Sequence, residues 1–159
     1  MVVDLKMKHS TDTELIIITK DKLDINVALD FIVLPCTGGT SCFVGTTRNS
    51  FKGNVVKTLF YEAYEPMAIK ELVNVCQMIR NNYDVGNICI MHRLGEVPVK
   101  ESSVIVAVSS THRKEAIQAT ELGINELKAR VPIWKKEIYD DETSSWKENK
   151  EAFWMQKDQ

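Results

Sequence analysis

Long apolar runs are missing from this 159-residue chain: nothing approaches the roughly 20 consecutive apolar residues of a membrane-spanning helix. Met1 to Ser10 carries Asp4, Lys6 and Lys8 and no apolar stretch, so no secretory signal is expected there. Glycine and proline are scarce, at seven and four, which excludes collagen-like repeats and long low-complexity linkers. The four cysteines, Cys36, Cys42, Cys76 and Cys89, form no CxxC pair, so neither a zinc ribbon nor a disulfide scaffold is expected. Each reads instead as a small buried hydrophobe in a reduced, cytosolic compartment. The spacing of His and Cys indicates no metal site, and GxxxxGK[ST] and GxGxxG are both absent, so a nucleotide loop is excluded on pattern. Charge of one sign is not in excess either. A balance of 20 Lys and Arg against 22 Asp and Glu leaves −2, which argues against broad nucleic-acid or anionic-membrane binding. Cationic chemistry must therefore come from a local cluster.

What is present suffices for one domain over 1–159 with a core of its own. Glu14 to Thr19 (ELIIIT) predicts a strand, Asp24 to Phe31 a short helix, and Pro35 to Thr40 a turn broken by Gly38-Gly39. Ser41 to Thr47 and Asn54 to Tyr64 predict the two strands of a hairpin whose polar loop carries Arg48 and Lys52. Glu65 to Asn82 predicts a helix, with Pro66 in its first turn and Ile69, Leu72, Val73, Cys76 and Ile79 on one face. Asn87 to Arg93 and Ser103 to Ser109 predict strands joined through Gly95 and Pro98. A second helix runs from about Thr111 to Arg130, where Pro132 stops it. The tail holds Trp134, Trp146 and Trp154 and is expected to turn helical from about Ser145, with 1–12 and 147–159 peripheral. The order β, β, β, α, β, β, α makes an α+β domain with a mainly antiparallel sheet and two principal helices.

Wound at 100° per residue, the second helix puts Ile117, Thr120, Ile124, Leu127 and Val131 within about 40° of one direction, with Arg113 on the centre line. An arginine there is costly to bury unless it is paired or holds an anion. It sits in the first turn, where free N–H groups and the positive dipole end attract anions, with Thr111 as N-cap. Ser110-Thr111-His112-Arg113 therefore reads either as an oxyanion or phosphate pocket or as a frayed helix end. Lys128, Lys135 and Lys136, with Arg130 nearby, form a second cationic group. Mutual repulsion and desolvation there depress one ammonium pKa and fit it for proton transfer or nucleophilic work. The alternative is a solvated basic surface neutralised by Glu126 and Glu137. Arg113 and Lys128 lie 15 positions apart, about 22 Å along one helix. If they serve one small-ligand site, the simplest arrangement is a twofold dimer in which one subunit lends His112-Arg113 to the Lys128 of the other. His92-Arg93, at a strand end, reads as structural.

The segments that carry these residues resemble a known family. The matching stretches are Phe43-Val44-Gly45-Thr46-Thr47-Arg48, Leu59-Phe60-Tyr61-Glu62-Ala63-Tyr64 with Met67-Ala68, Met91-His92-Arg93-Leu94-Gly95, Ser109-Ser110-Thr111-His112-Arg113, Leu127-Lys128 and Val131-Pro132-Ile133-Trp134-Lys135-Lys136-Glu137. In order, over about residues 41–146, they resemble the catalytic large subunit family of molybdopterin synthase. The resemblance implies an α/β-hammerhead type of fold. It implies a sulfurtransferase of molybdenum cofactor biosynthesis that inserts two sulfurs into cyclic pyranopterin monophosphate, forming the dithiolene. It further implies a small ubiquitin-like sulfur-carrier subunit whose C-terminal Gly-Gly bears a thiocarboxylate, and a central homodimer within a heterotetramer. Carried over by position, Lys128 and Lys135 are the catalytic lysines. Thr46, Thr47, Arg48, His112, Arg113, Lys136 and Glu137 are the substrate-binding positions, and no cofactor or metal is implied. The two threonines before Arg48 depart from the family, which more often has a basic and an aliphatic residue there. The alternative is a non-catalytic module that holds a partner's C-terminal tail in a basic groove; the presence of Arg48, Arg113, Lys128 and Lys135 together favours the enzyme.

Overall fold

The computed structural model describes residues 7–147 and 151–152. Strand β2 (Glu14–Thr19) sends Leu15 and Ile17 to one face and Ile16 and Ile18 to the other, and both faces are covered. A strand buried on both sides needs apolar residues at successive positions, which is why ELIIIT does not alternate. β2 pairs antiparallel with β1 (Met7–Ser10) and parallel with β6 (Ile88–Arg93). Antiparallel β8 (Ser102–Ser110) and β3 (Gly39–Thr46) complete a five-stranded sheet in the order β1-β2-β6-β8-β3. On one face Ile16, Ile18, Ile90 and Val106 pack with Leu72 and Ile79 of α2 (Glu65–Asn82) and Leu127 of α3 (Arg113–Arg130). On the other, Ile17, Met91 and Ile105 pack with Ala28 and Ile32 of α1 (Ile25–Ile32), whose N-terminus is capped by the Asp24 carboxylate accepting from the Asn26 N–H at 2.9 Å.

A second, antiparallel sheet runs β10 (Ser144–Lys147), β9 (Ile133–Tyr139), β5 (Asn54–Ala63), β4 (Ser50–Phe51), with β7 (Gly95–Pro98) also on β5. The chain is therefore α+β with a predominance of antiparallel pairing, as expected, and the helix over 65–82 falls where its periodicity put it. No described helix is long and apolar enough to cross a membrane.

Several expectations are corrected. The 41–47 and 54–64 strands do not form a hairpin: β3 pairs with β8, and only Ser50–Phe51 turns back on β5 through Lys52 and Gly53, both at positive φ. The intervening Thr47 is tied to a different part of the chain: its N–H donates to the Glu101 carbonyl at 3.1 Å and its hydroxyl to the Val97 carbonyl at 3.0 Å. These bonds carry the chain from one sheet to the other. Ile133–Tyr139, for which no element was expected, is a full strand, and Ser144–Lys147 is a strand rather than the start of a helix. Trp154 lies outside the described residues. Met7–Ser10, expected to be peripheral, forms the edge strand of the first sheet. Cys76 and Cys89 are buried, but Cys42 is only half-buried and Cys36 is exposed.

The buried face of α3 also differs. Ala116, Ala119, Thr120, Gly123, Ile124 and Leu127 are buried, whereas Ile117 is 56% exposed. The centre of burial is turned by about 50° towards small residues, a stripe that side-chain size conceals. Close approach explains it: a Cβ on Gly123 would stand 2.9 Å from Val106 Cγ1 and 3.2 Å from Ile79 Cδ1. Arg113 is thereby released to solvent, off the apolar meridian.

Candidate active site

A cleft of about 930 Å³ opens where the second sheet meets the free end of the first and the C-terminal turns of α3. Arg48 reaches it from the β3–β4 loop, Lys128 from the last turn of α3, Lys135 from β9 and Lys147 from β10. Each owes its place to a local feature. Thr47 anchors the loop that presents Arg48. α3 ends at Arg130 because Pro132 cannot continue it. Period-two alternation then aims Lys135 and Glu137 to one face of β9. Apolar walls come from Phe43, Val104, Ile124 and Leu127, and the exposed rings of Trp134 and Trp146 stand at the margin.

Lys135 is the member whose proton affinity is lowered. Burial pushes its ammonium pKa below the ordinary lysine value, Glu137 opposes that, and the positive charges of Lys128, Arg48 and Lys147 push it further down. The sequence expectation of one depressed lysine in a cationic group thus falls on Lys135, but the repelling charges are Arg48, Lys128 and Lys147 rather than Lys136 and Arg130. Arg130 is occupied by Glu126 one turn back, Nε to Oε2 at 2.6 Å. Glu137 is only 3% exposed; its Oε2 accepts from the Tyr139 hydroxyl at 2.7 Å and lies 3.5 Å from Lys147 Nζ. Lys128 stands 3.6 Å from the Glu151 carboxylate, both groups being about half or more exposed.

Beneath the lysines the cleft is floored by Tyr61 and His92, whose rings meet edge to face at 5.1 Å. Burial pushes the His92 pKa down to about 4, so the ring is neutral at physiological pH; its Nδ1 lies 2.9 Å from the Arg93 carbonyl oxygen. Arg93 itself is bonded to Glu101 and turned away from the cleft lining. The Tyr61 hydroxyl donates to Ser103 Oγ at 3.3 Å, and burial raises its pKa.

The sequence-predicted residues divide into two groups. Thr46, Arg48, Lys128, Lys135 and Glu137 share the cleft. Thr47 is buried with its hydroxyl on the Val97 carbonyl, and Lys136 lies over the Trp146 ring at 5.6 Å, neither lining the cleft. His112 and Arg113 lie at the opposite end of α3, exposed and outside the cleft lining. The N-cap of α3 is His112 rather than Thr111, and its side chain makes no capping hydrogen bond. Gly38 and Gly39 explain how β3 reaches that corner: a Cβ on Gly39 would lie 2.9 Å from both Arg113 N and Cα, and one on Gly38 2.8 Å from the Thr111 carbonyl oxygen. Sequence reading missed Lys147, Tyr61 and His92 as lining residues. Tyr61 and His92 sit inside recognisable stretches, but nothing in those stretches says which face of a strand points into a cavity; Lys147 sits in a strand misread as the start of a helix.

Among the described residues, no group of three or more His, Cys, Asp or Glu is placed to hold a metal ion. The model of the MoaE protein family matches residues 18–130 of this chain. A molybdopterin synthase catalytic subunit from Bos taurus is 47% identical over 155 residues, covering 98% of this chain and 82% of the bovine protein. Among solved structures, molybdopterin synthase from Staphylococcus aureus superposes with a TM-score of 0.80 at 35% identity, covering 88% of this chain and 99% of that one. A chain from the complex of subunits 1 and 2 of molybdopterin-converting factor from Helicobacter pylori shares the fold, with a TM-score of 0.69 at 21% identity over 82% of this chain and 88% of that one.

Proposed function

The chain belongs to the MoaE family, and from that membership we propose how its cleft works. It is an enzyme, a molybdopterin synthase catalytic subunit that transfers sulfur in molybdenum cofactor synthesis. Its sulfur donor is the C-terminal thiocarboxylate of a small ubiquitin-like carrier ending in Gly-Gly, and its acceptor is cyclic pyranopterin monophosphate. The observation that carries this reading is the convergence of Arg48, Lys128 and Lys135 on one cleft, with the proton affinity of Lys135 lowered.

Both reactants are anionic. Arg48 suits the cyclic phosphate because a guanidinium donates two parallel hydrogen bonds to phosphate oxygens. Lys128, at the open side of the cleft, pairs with the incoming thiocarboxylate, whose sulfur bonds to the pterin. It then stabilises the oxyanion formed when water adds to the resulting acyl carbon, which collapses to leave sulfur on the pterin and a carboxylate on the carrier. Lys135, with its depressed pKa, accepts and returns the proton. Trp134 and Trp146 form apolar walls for an extended tail. His112 and Arg113 cannot reach the cleft along their own helix, which is continuous over 18 residues. They serve the cleft of a second copy, in a central dimer whose subunits each carry one small subunit.

Mass spectrometry of the pterin after mixing the chain with thiocarboxylated carrier and cyclic pyranopterin monophosphate tests the reading. Dithiolene product with consumption of the thiocarboxylate is expected. A bound carrier whose thiocarboxylate stays intact would leave a tail-binding module instead.

A further inference from the structure

Lys135 and Glu137 lie two apart on β9 and so share one face. Opposite charges so placed are ready partners, yet among the described residues no carboxylate lies within 4.0 Å of Lys135 Nζ. Glu137 is held elsewhere: its Oε2 takes the Tyr139 hydroxyl at 2.7 Å and faces Lys147 Nζ at 3.5 Å. Lys147 is the cross-strand neighbour of Lys135 in the β9–β10 register, and two rings fix its ammonium group, Phe51 at 4.7 Å and Tyr139 at 5.9 Å. Phe51 belongs to the short β4 strand, so this one side chain ties together three strands of the cleft wall.

We propose that Lys147 is a positioning residue: from β10 it holds the Glu137 carboxylate away from Lys135, leaving the Lys135 amine uncommitted at the reaction centre. The charges that act on Lys135 are Arg48 from the β3–β4 loop, Lys128 from α3, Glu137 on its own strand and Lys147 from β10, while Tyr61 and Glu62 of β5, His92 of β6 and Glu151 also line the cleft. Of the four charges acting on Lys135, all but Glu137 are cations. The direction of the Lys135 shift agrees, since Lys147 is among the charges lowering it and Glu137 is the one raising it. Lys147 is also raised in pKa, chiefly by its hydrogen bond with Tyr139 and also by Glu137, and so stays charged as the clamp requires. The part this gives Lys147 in turnover rests on the reading of Lys135 as the proton-transferring lysine; the clamp itself does not.

The test is competitive labelling of the intact chain with trace acetic anhydride, read lysine by lysine by peptide mass spectrometry across pH, with no substrate present. In Lys147→Gln the freed Glu137 carboxylate turns to Lys135 and favours its ammonium form. Labelling of Lys135 at pH 8 then falls roughly two- to fivefold, the factor a partly exposed ion pair is worth. Adding Glu137→Gln to that variant restores labelling to near the wild-type level, and Lys147→Arg never loses it. In sulfur transfer, the pH at which turnover appears moves upward in Lys147→Gln while the plateau rate is kept. Unchanged Lys135 labelling in a folded Lys147→Gln chain, or a loss that Glu137→Gln does not reverse, overturns the proposal. Labelling as expected with no sulfur transfer by any variant or the wild type would leave the clamp standing and sink the proposed reaction.

Discussion

Arg113 and Lys128 occupy opposite ends of an unbroken 18-residue helix. At 1.5 Å per residue they are about 22 Å apart, further than one cyclic pterin phosphate spans. If both serve the same reaction, they act on it from different subunits. Each single variant, Arg113→Ala and Lys128→Ala, removes a charged partner of a bound anion, which costs about 2 kcal/mol or more and cuts turnover at least about thirtyfold. A heterodimer of the two variants is different. One of its clefts carries both lesions, and the other combines an intact Lys128 with an intact Arg113 from the neighbouring chain. Co-expression with two affinity tags and sequential purification isolates that heterodimer. Its turnover, with saturating carrier and pterin, is expected at about half that of the wild-type dimer, one working cleft in two. A heterodimer no more active than its parents would refute the cleft shared between subunits.

Two further predictions test the framework. Gly39→Ala pushes a methyl group into the backbone of Arg113, 2.9 Å away; it should cost about 1–3 kcal/mol in urea unfolding and lower turnover by displacing His112-Arg113, and an unchanged midpoint would show that the corner yields freely. His92 is held neutral by burial, with its pKa lowered from 6.5 to about 4. The unfolded chain therefore binds a proton that the folded chain refuses between those values, so stability falls as pH drops through that window, by about 3 kcal/mol in all. His92→Gln should flatten the stability profile from pH 6.5 to 4 relative to wild type, and parallel profiles would show that His92 is not buried and neutral.

How much of this was legible in the chain depended on the range of the interaction. The helix over 65–82 announced itself because an apolar face, a first-turn proline and clear ends all agree locally. ELIIIT was equally plain. The partnership of β3 with β8 was not, since pairing across more than 50 positions leaves no mark in either strand. β9 was hidden by Lys135, Lys136 and Glu137, whose charges mask a period-two pattern that the cleft itself requires. The buried stripe of α3 misled because alanine and glycine bury little area yet bring the helix closest to the sheet. For the site, cationic residues were visible as a cluster around Lys128 and Lys135, and the 15-position separation already set Arg113 apart. Which lysine is depressed and which charges depress it became visible only with Arg48 and Lys147 folded beside it. So did the neutral His92 floor.

The most direct measurement follows the fate of the thiocarboxylate on Lys128→Ala. Lys128 is about half exposed and paired with a half-exposed carboxylate, so its removal leaves the fold intact. Mixed with thiocarboxylated carrier and cyclic pyranopterin monophosphate, the variant should co-elute with the carrier while the carrier's intact mass retains its sulfur and no dithiolene forms. Dithiolene appearing at the wild-type rate would contradict the assignment of this cleft as the place where sulfur changes hands.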